Sequence, residues 1–484
     1  MRRREFLKAA TAAGAACVAG RAVAARAAEG ARKPNIILIM ADDLGWAELG
    51  CYGQKKIQTP NIDALAAAGM RLTQFYSGSA VCAPSRCCLM TGRHGGHAYV
   101  RDNGEIKDPD PAVFGGQTPL AASELTIAKT LKAAGYATGC FGKWGLGRAG
   151  SEGDPLNQGF DRFYGYNCQR HAHNLYPAYM VSDRENVPLP GNTGKGPTGQ
   201  TYGPQCIADE MLKFVRANKD RPFFLYYPTV IPHLALQVPE ADLAQYKGKW
   251  PETPYTGKSY QPHPTPKACY AAMISFMDRQ VGRLVALLKE LGQFDNTIIL
   301  FTSDNGTTHL KEQVDFEFFQ SVGPLRGLKG SLHEGGIRVP LVARWPGRIA
   351  PGTRSDLPAA NYDLAATLAE IAGVEYAKDT DGVSILPTLL GQGERQKKRE
   401  FLFWDFGGYG GQTAVRMGRW KGIRKNIRRR ADAPLEVYDL EADAGESKDL
   451  AAERPEITKQ LEAIIRRERV QPVLEKFRFG TYAG

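Results

Sequence analysis

At 484 residues the chain exceeds what one hydrophobic core usually sustains, and 43% hydrophobic with 23% charged residues excludes a disordered or low-complexity protein. A formal net charge of +11 suits an anionic ligand, but no nucleic-acid-binding motif accompanies it. Beyond the N-terminal segment no stretch approaches about 18 uninterrupted apolar residues, which excludes a membrane-spanning helix in the mature chain.

Residues 1–28 stand apart. They open Arg2-Arg3-Arg4-Glu5-Phe6-Leu7-Lys8, continue as an Ala-rich run, and end in Ala22-Val23-Ala24 and Ala25-Arg26-Ala27. Basic, weakly apolar and small-residue regions in that order predict a signal peptide rather than a basic tail. Arg3-Arg4 ahead of Phe6-Leu7-Lys8 is of the twin-arginine type, which predicts a periplasmic or secreted protein and the twin-arginine export machinery as a partner. Its removal takes away six basic residues and one acid, leaving a net charge of about +6. Eight of the nine cysteines follow Cys17, and they predict buried thiols, with at most one bridge among Cys140, Cys168, Cys206 and Cys269.

The apolar run 34–40 predicts a parallel strand buried on both faces, ending in Ala41-Asp42-Asp43-Leu44-Gly45. Two adjacent carboxylates can share a site only where the strand stops, so Asp42 and Asp43 are either a hard-cation site or a solvated loop pair. Thr59-Pro60 starts a short helix that Gly69 ends. Cys82-Ala83-Pro84-Ser85-Arg86 reads as a loop entering a helix over 85–91 that Gly92 closes. Cys82, just ahead of that helix, is an activated nucleophile, a metal ligand or a buried thiol. A helix is predicted over 123–134 with Ser123 as N-cap, then a strand over 136–141 that Lys143 follows.

Residues 150–205, which include His171 and His173, read as loops over a site. A helix over 205–218, a strand over 222–227 and a helix over 267–292 come next. His233 follows that strand, as an ordinary surface histidine or a functional one. A further strand over 297–301 ends in Asp304-Asn305, and Lys329 lies in a Gly-rich loop ahead of a strand over 339–345. Strand–helix alternation predicts an open, mostly parallel α/β sheet, whose ligands gather beyond the carboxyl ends of the strands. Asp42, Asp43, Lys143, His233, Asp304 and Asn305 all fall just past such ends. The shorter segments after residue 373 predict a small antiparallel sheet and a helix over 455–467, with the basic run 416–430 as solvated surface. The implied divisions are 1–28, 29–373 and 374–484.

Cys82-x-Pro84-Ser85-Arg86 followed by Thr91-Gly92-Arg93 resembles the signature of the type I sulfatases. Asp42-Asp43, Gly142-Lys143-Trp144, His233, Asp304-Asn305, Lys329 ahead of Glu334-Gly335-Gly336-Ile337-Arg338-Val339-Pro340, and Tyr438-Asp439-Leu440 extend the resemblance over nearly the whole mature chain. It implies the alkaline phosphatase-like fold, with a large mostly parallel sheet and a smaller C-terminal α+β subdomain. It implies that a formylglycine-generating enzyme oxidises Cys82 to formylglycine, and that Asp42, Asp43, Asp304, Asn305 and residue 82 bind Ca²⁺, with Mg²⁺ second. By the same resemblance Lys143 and Lys329 hold the sulfate, Arg86 braces the formylglycine hydrate and the metal cluster, a hydroxyl of that hydrate attacks sulfur, and His233 serves the leaving oxygen. The expected substrate is a sulfated saccharide of galactose or N-acetylgalactosamine type, with His171 and His173 as further binding residues.

One position departs from the family pattern. Gly145 stands where most members carry a histidine, and His94, His97, His171 and His173 are its candidate replacements. Two other readings stay in view, a phosphonate or phosphodiester hydrolase of the same fold and, motivated by Gly145, a non-catalytic binder of sulfated glycans.

Overall fold

The computed structural model describes residues 32–106 and 115–482, so the signal-peptide reading lies outside the described residues. Asn35–Ala41 (β1) forms the middle of an eleven-stranded sheet. Phe223–Pro228 (β7) and Ala137–Lys143 (β3) lie on one side of it and Thr297–Ser303 (β8) on the other, all parallel. Arg162–Tyr166 (β4) continues this parallel core, and Tyr179–Ser182 (β5) and Glu185–Pro188 (β6) close that edge antiparallel. Toward the other edge Arg338–Arg344 (β9) runs antiparallel to β8 and to Met70–Tyr76 (β2), which carries the short strands Thr353–Ser355 (β10) and Ala359–Ala360 (β11).

Alternation along β1 explains why the sheet is covered twice. Ile36, Leu38 and Met40 enter a core shared with the helices Cys82–Thr91, Ile127–Ala133 and Asp363–Ile371. Ile37, Ile39 and Ala41 enter another, with Pro60–Ala67, Gly203–Ala217 and Pro266–Glu290. Adjacent strand residues point to opposite faces, so an unbroken apolar run needs a layer on each.

Leu402–Phe406 (β12), Gln412–Met417 (β13), Trp420–Arg424 (β14) and Leu435–Asp439 (β15) form a separate antiparallel sheet. One face packs Phe403, Val415 and Val437 against Leu461, Ile464 and Ile465 of the helix Pro455–Glu468. Leu402, Trp404, Phe406 and Ala414 join the core of the large sheet instead.

Several expectations need correction. The second helix begins at Cys82 itself, with Val81 as its extended N-cap. The next begins at Ile127, where the Thr126 hydroxyl accepts from Lys129 N and Ser123 caps nothing. Residues 150–205 contain β4, β5 and β6 as well as loops. The basic run is not uniformly solvated: Arg416 and Lys421 are buried, because the Tyr76 hydroxyl of β2 and Glu334, just ahead of β9, pair with them. All eight described cysteines are free thiols.

Candidate active site

The parallel strands end along one edge, and their last residues and first loop residues meet there. Asp42 and Asp43 follow β1, with Asp43 turned off the strand axis at φ 64. Asp304 and Asn305 follow β8, Lys143 is the last residue of β3, and His233 lies in the loop after β7. The helix Cys82–Thr91 delivers its first residue to the same point, and the loop after β8 delivers Lys329.

Cys82 is at the centre. Its sulfur lies 3.3 Å from Asp42 Oδ1 and 3.5 Å from each of Lys143 Nζ and Lys329 Nζ. Lys143 pairs with Asp42 at 2.6 Å and Lys329 with Asp43 at 2.7 Å. Arg86 is fully buried and donates from Nε and Nη2 to one oxygen of Asp304, at 3.0 and 2.7 Å. Its Nη2 is also 3.4 Å from Asp42, and its Nη1 donates to the Lys143 carbonyl. Asp304 accepts from Asp43 N at 3.1 Å, and Asn305 Nδ2 donates to Asp43 at 2.7 Å.

Three cations therefore face three carboxylates among buried side chains, and Asp42 and Asp304 respond to their neighbours in opposite senses. Burial would raise Asp42, but Lys143 foremost, with His233, Arg86 and Lys329, holds it well below the carboxylate range. Burial and the facing Asp42 push Asp304 up, against Arg86. Burial also pushes the Cys82 thiol up, and Asp42 adds to it against the two lysines. Burial works against the charge on Lys143 and Lys329, yet their aspartates keep both ammonium groups firmly protonated.

Asp42, Asp43, Cys82 and His233 present donor atoms within 4.8 Å of one another. The test of a hard cation is Asn305, whose Oδ1 is buried with no hydrogen-bond partner while its Nδ2 is fully used. A lone amide oxygen among three carboxylates is a donor set that a hard divalent cation satisfies, so the residues fit such an ion.

Above Cys82 lies a pocket of about 190 Å³, bordered by His233, His173, Asn103, Gln169, Tyr260 and Lys329. The Leu234 carbonyl accepts from His233 Nδ1 at 2.6 Å, which leaves Nε2 on the side of Asp43, 3.7 Å away. The His173 ring stacks on His233 at 5.2 Å. His171 does not join them: Nδ1 accepts from Asn167 N, Nε2 meets the Tyr179 carbonyl, and burial lowers it to about 4. His94 and His97 pack instead against Asp381 and Glu468.

At Gly145, a Cβ would lie 3.5 Å from Arg86 Cδ and 3.6 Å from Gln169 Nε2. Gln169 in turn donates to Asn103 at 3.2 Å, so amides stand beside the position where the family pattern has an imidazole. No motif marks Asn103, Gln169 or Tyr260, which arrive from three separate loops.

A doubly covered parallel sheet with carboxylates, lysines and a buried cysteine at its carboxyl edge defines a hydrolase of the alkaline phosphatase-like fold. The family model "Sulfatase" matches residues 34–374, and that of the N-sulphoglucosamine sulphohydrolase C-terminal region matches 328–471. Human arylsulfatase A is 33% identical, over 90% of this chain and 87% of its own. Human N-acetylgalactosamine-6-sulfatase is also 33% identical, over 76% and 68%. Among solved structures, Ps i-CgsB in complex with k-i-k-neocarrahexaose superposes with a TM-score of 0.76 at 27% identity, covering 93% of this chain and 95% of that one. The chain belongs to the sulfatase family and is a sulfuric ester hydrolase.

Proposed function

We propose that this sulfatase is an exported enzyme that removes sulfate from sulfated saccharides, through a formylglycine made from Cys82 and with a bound Ca²⁺. The observation that carries the proposal is the setting of Cys82, with both ammonium groups 3.5 Å from its sulfur. As a thiol it is a poor nucleophile, because burial keeps it protonated. Converted to formylglycine by its generating enzyme before twin-arginine export, position 82 would supply a hydrated aldehyde as nucleophile; departure of sulfate restores the aldehyde, and addition of water restores the hydrate. Asp42, Asp43, Asp304, Asn305 and residue 82 would hold Ca²⁺, with Mg²⁺ second, which supplies positive charge beside the sulfate oxygens.

The chain's own residues do the rest. Lys143 and Lys329 grip the sulfate oxygens and screen the charge that slows attack on an anion. Arg86 touches no substrate; it fixes Asp304 and Asp42. His233, oriented by Leu234, presents Nε2 where the leaving oxygen needs a proton. His173 and Asn103 border the sugar bearing the ester. Gln169 and Asn103 can hydrogen-bond beside Gly145 but cannot act as bases.

Galactose- or N-acetylgalactosamine-type esters are supported by the likeness to N-acetylgalactosamine-6-sulfatase and to Ps i-CgsB, which was solved in complex with k-i-k-neocarrahexaose. The test uses protein verified by mass to carry the aldehyde. Faster release of sulfate from an aryl sulfate than of phenol from an aryl phosphodiester is expected. The reverse order makes the protein a phosphodiester hydrolase, and tight glycan binding without sulfate release makes it a binder.

A further inference from the structure

Beside Lys329 lies a second groove of about 440 Å³, walled by Phe316, Val322, Leu325 and Leu328. Lys329, His309 and Tyr409 border both spaces, so the two lie side by side. The roles assigned so far use neither the groove nor Tyr409.

Tyr409 is held in an unusual way. It sits at the tip of the β12–β13 hairpin within Gly407-Gly408-Tyr409-Gly410-Gly411, in the left-handed region at φ 51 and 58% exposed. Aromatic residues rarely adopt that conformation unless the surroundings require it. One ring face rests on Gly330, where even a Cβ would come within 2.8 Å of the ring. The His309 ring meets it edge-on at 5.5 Å and the Phe406 ring lies tilted to it at 6.1 Å, yet more than half of the residue stays exposed. The hairpin is locked to the loop of Lys329, because the Gln412 side chain donates to Gly330 O at 2.7 Å and accepts from Leu332 N at 3.1 Å. The tyrosine therefore keeps a fixed position relative to the sulfate-binding lysine.

We propose that Tyr409 is a specificity-determining residue, the stacking platform for the saccharide ring next to the one that bears the ester. This rests on the reading of the substrate as a sulfated saccharide. The pocket over Cys82 has room for about one sugar, and the adjacent groove is where the next ring would lie. A pyranose has an apolar face and a hydroxylated rim. A largely exposed tyrosine ring beside an apolar-walled groove offers a flat apolar surface and a phenol hydroxyl, and matches both.

The experiment measures sulfate release from a sulfated monosaccharide and from the disaccharide containing it, with wild type, Tyr409→Ala and Tyr409→Phe, all carrying the aldehyde. Wild type is expected to favour the disaccharide in kcat/KM by about tenfold, equivalent to about 1.4 kcal/mol. In Tyr409→Ala that advantage collapses through a higher KM, and Tyr409→Phe keeps it. Equal use of both sugars by wild type, or an advantage that survives in Tyr409→Ala, overturns the proposal. So does a Tyr409→Ala loss that is larger on an aryl sulfate than on the disaccharide, which would make the groove a site for apolar leaving groups. Should wild type release no sulfate from either sugar, the saccharide reading itself has failed. Calorimetric titration of Cys82→Ala protein with the same two sugars then still reads the platform, and equal affinities overturn it.

Discussion

Replacing Lys421 by Met tests whether the small sheet holds the Lys329 loop in place through buried charge. Lys421 is inaccessible to solvent and pairs with Glu334 at 2.8 Å and Glu446 at 2.9 Å, both equally buried. Glu446 accepts from Glu334 N at 2.7 Å, and its carbonyl accepts from Arg326 at 2.7 Å, so both ends of the segment 326–337 hang on this cluster. Burial favours the neutral acid at Glu334, but Lys421, then Arg338 and Arg416, override it and hold the carboxyl at about 2. Set against an ordinary value of 4.5, that difference corresponds to about 3 kcal/mol. Because the folded-state value is depressed, this stability is fully present above about pH 4.5 and is lost as pH falls through about 2. Lys421→Met removes the largest favourable partner and leaves two buried carboxylates, a change that costs about 3–5 kcal/mol in comparable cases. Thermal unfolding at about pH 7.5 should therefore show Tm lowered by several degrees, with a smaller gap at about pH 4, where Glu334 in the variant is protonated. Adding Glu334→Gln should recover part of the loss, and KM for sulfate esters should rise as Lys329 loses its support. A Tm equal to that of wild type, or a gap of the same size at both pH values, would refute the reasoning.

Other outcomes follow from the site. Added Ca²⁺ should raise the Tm of the unmodified protein, and Asn305→Ala should abolish the rise, because binding to the folded state alone stabilises it. Chelation should lower sulfate release, and Ca²⁺ should restore it. Lys143→Met, read in single-turnover sulfate release, should lower the rate by about 10²–10³, the usual cost of removing one group that stabilises developing charge. His171→Phe should reduce stability by about 1 kcal/mol, since it strips partners from two half-buried backbone groups, and should leave KM in place. His173→Ala should do the opposite, raising KM with little change in Tm.

The sequence disclosed the site better than the surroundings that shape it. β1, β7 and β8 are near-continuous apolar runs and β3 is a buried run of small and apolar residues, and each ends at or just before residues now grouped around Cys82. Topology carries that inference, because parallel strands bring their carboxyl ends together whatever lies between them. β2 escaped notice because Met70–Tyr76 alternates weakly and owes its place to pairing with β9, far away in the chain. The burial of Arg416 and Lys421 could not be read locally either, since their partners Tyr76, Glu334 and Glu446 are remote. His171 and His173 look alike in sequence. Two intervening bonds decide between them, turning His171 onto backbone atoms of β5 and its neighbours and leaving His173 against His233. Tyr409 lies between glycines that read as an ordinary turn, and only the approach of Gly330 gives it a role.

The central claim is that residue 82, once oxidised, cleaves sulfate esters. The most direct measurement pairs peptide mass at residue 82 with ion chromatography of sulfate, on protein produced together with a formylglycine-generating enzyme and incubated with sulfated galactosides. Sulfate release that rises in proportion to the aldehyde fraction is the predicted result, and a fully converted protein that liberates none would contradict it.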